Sequence, residues 1–146
     1  MDVTRNEPLS LDDSAFAVST TPNSVITNSV GKFFSNPRNR ASNSSGFFSD
    51  FDYFPGDQEI VVIGDSFVEA MQVPFSDTFH QIVGSQMNQK VYNFGISGAP
   101  LSQYEAYAQE ICNVYKPKKL IITIIENDFD ESLYESRKRN GFFHYY

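Results

Sequence analysis

Three short blocks of the sequence hold the residue types that acyl transfer requires. Gly64-Asp65-Ser66 offers a hydroxyl nucleophile, Gly98 a backbone N–H with no side chain in the way, and Asn127 a carboxamide. A serine hydroxyl surrounded by N–H donors can attack an ester carbonyl, because the donors stabilise the charge that develops on the carbonyl oxygen. The backbone N–H of Ser66 is a third candidate donor. Ser66 and Gly98 are 32 positions apart and Gly98 and Asn127 are 29 apart. Each interval accommodates one strand and one helix.

The elements that must position these blocks are legible from periodicity. Glu59-Ile60-Val61-Val62-Ile63 is a β-branched apolar run closed by Gly64, as a buried parallel strand would be. Ser76-Asp77 offers a helix N-cap, and Phe79, Ile82, Val83 and Met87 follow at helical spacing. Lys90 to Phe94 predicts a second strand stopped by Gly95. Leu101, Tyr104, Ala108, Ile111, Cys112 and Tyr115 mark one face of a second helix, with Pro117 just beyond its end. Lys119 to Ile125 predicts a third strand. Strands alternating with helices imply right-handed crossovers and a parallel sheet covered on both faces. Sites in such sheets form at the carboxyl ends of the strands, here after Ile63, Phe94 and Ile125. The serine, glycine and asparagine blocks sit at those three ends.

In that order and at those positions the blocks resemble the SGNH, or GDSL-type, hydrolases. The resemblance covers about residues 59–130. Asn43 to Phe47 also resembles an Asn-x-x-Gly-Phe lead-in of some carbohydrate-modifying members. The resemblance implies an α/β fold, a three-layer α/β/α sandwich on a flavodoxin-like parallel sheet. It implies an esterase, lipase, thioesterase or carbohydrate O-acetyl esterase activity on a small-molecule or carbohydrate ester, with no cofactor and no metal. By it, Ser66 is the nucleophile, Ser66, Gly98 and Asn127 form the oxyanion hole, and Asp65 supports the serine. One departure is local: family members commonly carry a glycine two residues before the asparagine, where this chain has Ile125. Glu126 adds a negative charge beside Asn127 and is expected to face solvent.

The larger departure is the base. The family's last block is Asp-x-x-His, well beyond the asparagine block. His144 has Gly141, not an acid, three positions before it. Asp77-Thr78-Phe79-His80 fits the pattern literally but falls on the first helix, where Asp77 reads as a capping acid and His80 as solvent-exposed. The fold is accordingly read as incomplete at its C-terminus. Losing a triad serine or histidine costs about 10⁶ in kcat and leaves roughly 10³–10⁴ over water. This chain is therefore expected to be weakly active or inactive, with an open apolar edge on the third strand that favours self-association. Two other readings compete. One is a degenerate, non-catalytic binding or scaffold module of the same fold. The other is a nucleotide-binding domain of similar topology, which lacks the glycine spacings and would place Asp65 beside a phosphate. Glu126, Asp128, Asp130 and Glu131 read as a solvated acidic run rather than a metal site, since no histidine or cysteine stands at ligand spacing.

The remaining sequence narrows the class. Residues 1–58 form an Asn/Ser-rich N-terminal segment expected to be irregular and partly docked through Phe33-Phe34, Phe47-Phe48 and Tyr53-Phe54, and 59–146 form the partial hydrolase domain. A net charge of −7 argues against a nucleic-acid partner. Arg137-Lys138-Arg139 reads as a solvated basic run. The lone Cys112 reads as a small buried hydrophobe. Met1 to Leu11 has no apolar leader region, and the longest apolar run, Leu120 to Ile125, is too short to span a membrane. As written the chain reads as cytoplasmic, although family relatives are often exported.

Overall fold

The structure, a computed structural model, describes residues 19–29, 35–56 and 60–133. A short antiparallel ribbon comes first, β1 (Val25–Ser29) against β2 (Pro37–Ala41). The main body follows: β3 (Ile60–Gly64), α1 (Ser66–Glu69), a single 3₁₀ turn (Phe75–Asp77), α2 (Phe79–Met87), β4 (Val91–Gly95), α3 (Leu101–Val114), β5 (Lys119–Ile122) and α4 (Glu126–Ser132). The three body strands make a parallel sheet in the order β4-β3-β5. This is the mixed α/β, flavodoxin-like arrangement that the alternating pattern predicts. No helix among the described residues is long and apolar enough to cross a membrane.

β3 is central and wholly buried, and its alternation divides the core in two. Ile60 and Val62 face Val68 and Val91. Val61 and Ile63 face Tyr92, Phe94, Tyr104, Tyr107 and Ile111, together with Phe47 and Tyr53 from the N-terminal segment. Helices α1 and α2 therefore cover one face, and α3 with the N-terminal aromatics covers the other, as period-2 side chains of a two-sided sheet require.

The N-terminal segment also closes a sheet edge. The Tyr53 hydroxyl accepts the Asn93 N–H and donates to the Asn93 carbonyl, both at 2.9 Å, and stacks 4.2 Å from Tyr92. The Asn93 amide reaches the Phe48 carbonyl at 3.4 Å. The free side of β4 is thus satisfied by side chains, one way to blunt an exposed edge. Asn43 explains the turn that delivers Phe47: its Oδ1 accepts the N–H of Ser45 and of Phe47, each at 3.0 Å.

Several expectations need correction. The third strand ends at Ile122, not Ile125, although Thr123 N–H still bonds the Ile63 carbonyl at 2.9 Å. It is not covered on both faces among the described residues: Ile121 and Ile122 are 41% and 44% exposed. Ser76-Asp77 lie in the 3₁₀ turn, and Thr78 takes the N-cap position of α2. That helix buries His80 and Gly84 rather than Phe79, Ile82 and Met87. A Cβ on Gly84 would lie 2.7 Å from the Gln89 carbonyl oxygen, so the small residue lets the helix seat on this side and turns the larger apolar residues outward. On α3 the buried face runs through Gln103, Tyr104, Tyr107 and Ile111, so Cys112 is exposed, not buried. The Asn/Ser-rich stretch that favours turns contains strand β2. Phe33-Phe34, Arg137-Lys138-Arg139 and His144 lie outside the described residues.

Candidate active site

Parallel register brings the three strand ends side by side. Gly64 pairs with Gly95, Ile63 pairs with Ile122, and Ile96 N–H bonds the Gly64 carbonyl at 3.1 Å. Asp65 and Ser66 leave the central strand between the Gly98 segment and the Asn127 segment.

Ser66 opens α1. Asp65 is its N-cap, with Oδ1 accepting the Phe67 N–H at 3.0 Å. Such a side-chain cap satisfies an amide that the first turn leaves without a partner. The other oxygen, Oδ2, receives the Ser66 hydroxyl at 3.3 Å, a long bond. Ser66 is half-buried, whereas Asp65 is buried.

Gly98 lies in the turn after β4. Ala99 N–H returns to the Ile96 carbonyl at 3.0 Å, and Gly98 has φ of +74°. That left-handed value at the third position of a four-residue turn is where glycine is favoured. The neighbouring Ser97 gives both its N–H, at 3.1 Å, and its hydroxyl to Oε2 of Glu69 at the end of α1.

Asn127 stands in the first turn of α4 and is exposed. Glu126 beside it is exposed as well, so it does not aim its charge into the sheet, as expected. The start of α4 is held by Asp128, whose Oδ2 accepts the Ile125 N–H at 2.8 Å and whose Oδ1 receives the Tyr104 hydroxyl at 3.1 Å. Asp128 is fully buried. Burial raises its pKa, the Ile125 and Tyr104 bonds oppose the rise, and Asp65 and Glu131 reinforce it by like charge.

A cavity of about 380 Å³ opens beside the serine. Ser66, Phe67, Ala70, Val73 and Phe79 line it together with Gln72, Asp77 and Thr78. Phe67, Val73 and Phe79 are 68%, 38% and 41% exposed, so an apolar group in the cavity would cover carbon that water now covers.

His80 is not the exposed residue that sequence pattern predicts. It is fully buried beneath this wall, its Nε2 is 3.1 Å from the Thr78 hydroxyl, and Nδ1 has no partner. Burial, with a smaller effect of the Arg40 charge, lowers its pKa to about 4.

Two buried charges beside the site carry no sequence signal of their own. Glu69 is one, with a pKa raised first by burial. Arg40 is the other, a polar position on an exposed ribbon that turns inward to the main body. A Glu three residues after the serine and an Arg ahead of an aromatic run were visible, but only the tertiary structure brings the two charges close enough to influence each other.

Comparison with known proteins gives one match. The family model of the GDSL-like lipases and acylhydrolases matches residues 60–144, more than half of the chain. No curated protein and no solved structure matches.

Proposed function

The chain belongs to the GDSL-like lipase/acylhydrolase family, and from that premise we propose that it is a serine ester hydrolase with Ser66 as nucleophile. The observation that carries the reading is the placement of the capped Asp65-Ser66 turn at the end of the central strand, between the Gly98 turn and the first turn of α4, beside an apolar-walled cavity. Ser66 Oγ attacks the ester carbonyl. The backbone N–H groups of Ser66 and Gly98 and the Asn127 carboxamide receive the oxyanion, where each donor is worth about 3–4 kcal/mol in comparable enzymes. The acyl chain lies against Phe67, Val73 and Phe79; the adduct collapses with cleavage of the ester C–O bond, the alcohol departs with the proton that Ser66 gave up, and water then hydrolyses the acyl-serine to the acid and free Ser66. An O-acyl carbohydrate is the first substrate to try, on the strength of the resemblance, and the cavity adds room for acyl groups longer than acetyl.

The proton of Ser66 is the weak point. Its hydrogen-bond acceptor is Asp65, at a long 3.3 Å, and no imidazole among the described residues reaches the hydroxyl to take the proton. This chain is therefore proposed to turn over slowly or not at all. A second reading, a non-catalytic binding module, is favoured by one observation: the His80 ring is buried and bonded to Thr78.

Labelling with an alkyl fluorophosphonate separates the readings. We expect labelling of the wild-type chain and none of Ser66→Ala. Label that persists in Ser66→Ala removes Ser66 as nucleophile. Saturable binding of an uncleaved ester analogue, with no label in either protein, selects the binding module.

A further inference from the structure

We propose that Glu69 and Arg40 are positioning residues that fix the Gly98 turn against the Ser66 turn; the proposal rests on the roles read above for Ser66 and Gly98. Helix α1 has four residues. One turn of helix is unstable in isolation, because nucleation fixes several residues for a single hydrogen bond. The place of Ser66 must therefore be set by what holds α1 from outside.

Its far end is held at three points. A Cβ on Gly95 would lie 2.3 Å from Glu69 N, so the end of β4 and the end of α1 are in backbone contact. From that contact the Glu69 carboxylate reaches over the next turn and accepts both donors of Ser97, the residue before Gly98. Arg40 secures the segment leaving α1. Its Nη1 donates to the Ala70 carbonyl at 2.9 Å and to the Val73 carbonyl at 2.8 Å. Its guanidinium lies 5.8 Å from the Phe48 ring centre and 5.5 Å from that of Phe75. Ala70 ends the helix with φ of +51°, a conformation that needs such external support.

A buried carboxylate is costly unless it is paired. Glu69 is 5% exposed, and the Ser97 donors and the Arg40 charge offset the cost. Arg40 is 5% exposed; burial lowers its pKa, and the charges of Asp50 and, to a smaller extent, Glu69 oppose that shift. The two therefore form one unit running from the N-terminal ribbon, which precedes the matched residues 60–144, to the Gly98 turn. Oxyanion donors must sit about 2.7–3.1 Å from the developing charge, and a shift of about 1 Å can cost on the order of 10²-fold. A carboxylate that sets the separation of two such turns acts on rate without touching substrate.

The test uses the full chain with Glu69→Ala, Glu69→Gln, Arg40→Ala and Arg40→Lys. Where ester turnover is measurable, we expect kcat of Glu69→Ala to fall about 10²-fold with KM little changed, and Glu69→Gln to keep most of the rate, since its carbonyl oxygen still accepts the Ser97 N–H. Amide hydrogen exchange gives a readout that needs no activity. In Glu69→Ala, exchange at Gly98 and Ala99 should quicken by about tenfold or more while Val61 to Ile63 in β3 hold their rates. Arg40→Ala should do the same at Ala70 to Val73, with Arg40→Lys between. Unchanged exchange at Gly98, or equal quickening in β3, overturns the positioning role. If Glu69→Ala does not fold, Ser97→Ala, which removes one of the two donors, carries the same comparison. A wild-type chain whose Ser66 never reacts would sink the esterase reading, and the exchange arms would still decide whether Glu69 and Arg40 hold the two turns together.

Discussion

Burial keeps the His80 imidazole neutral well into the acid range, with a pKa near 4 against an ordinary value of 6.5. Between those values the unfolded chain binds a proton that the folded chain does not, so stability is complete above about pH 6.5 and falls as pH drops toward 4. The drop amounts to about 3 kcal/mol at 1.36 kcal/mol per pKa unit. Glu69 and Asp128 act in the opposite sense. Their raised pKa values make the folded state the proton binder, so they take stability away as pH rises through their titration. Replacing His80 isolates its share. Urea unfolding of His80→Gln at pH 7 and pH 4.5 should show a stability difference smaller than the wild-type difference by about 2 kcal/mol. Equal differences in the two proteins would place the acid sensitivity elsewhere.

Two contacts between elements set the frame of the site. The first is the seat of α1 on β4. A methyl group on Gly95 would meet the Glu69 nitrogen at 2.3 Å and the Val68 carbonyl carbon at 2.6 Å, both backbone atoms that cannot rotate away. Overpacking against backbone costs about 1–3 kcal/mol or more, so Gly95→Ala should lower the urea midpoint accordingly. A variant as stable as the wild type would show that α1 can lift from the sheet at no cost. The second is the edge cover of β4. Tyr53→Phe leaves the Asn93 N–H and carbonyl without the hydroxyl that serves both. Stranding buried backbone groups costs about 1–3 kcal/mol. Chemical denaturation should register that loss, and near-neutral behaviour would mean that water replaces the hydroxyl.

At the scale of the whole molecule, exposed apolar surface is unevenly placed. The core under β3 and β4 is dense with aromatic rings, from Phe47 through Tyr92 to Tyr115. Along β5 and just beyond it, Ile121, Ile122 and Ile124 are exposed, and among the described residues β5 pairs only with β3. An apolar strand with one free side is a template for pairing with another copy. We expect sedimentation to show association that grows with protein concentration and that Ile122→Lys reduces. A wild-type chain that stays monomeric at concentrations of tens of micromolar would refute this.

The sequence by itself determined the sheet and the strand ends at which a candidate site is to be sought. The β-branched run from Ile60 to Ile63 reads as a buried strand and is one, the two crossover helices make its neighbours parallel, and parallel strands present their carboxyl ends together. Ser66, Gly98 and Asn127 were legible for that reason: each follows a strand. Local pattern did not decide which way each helix turned its residues. His80 went inward with Gly84, whose small size lets α2 seat close to the chain, and on α3 the buried face runs through Gln103, Tyr104, Tyr107 and Ile111, which leaves Cys112 outward. Nor could pattern reveal that Arg40 and Glu69, 29 positions apart, share one buried charge balance. Helix rotation and the approach of buried charges are settled by packing energies between segments distant in the chain, and periodicity along one segment does not contain them.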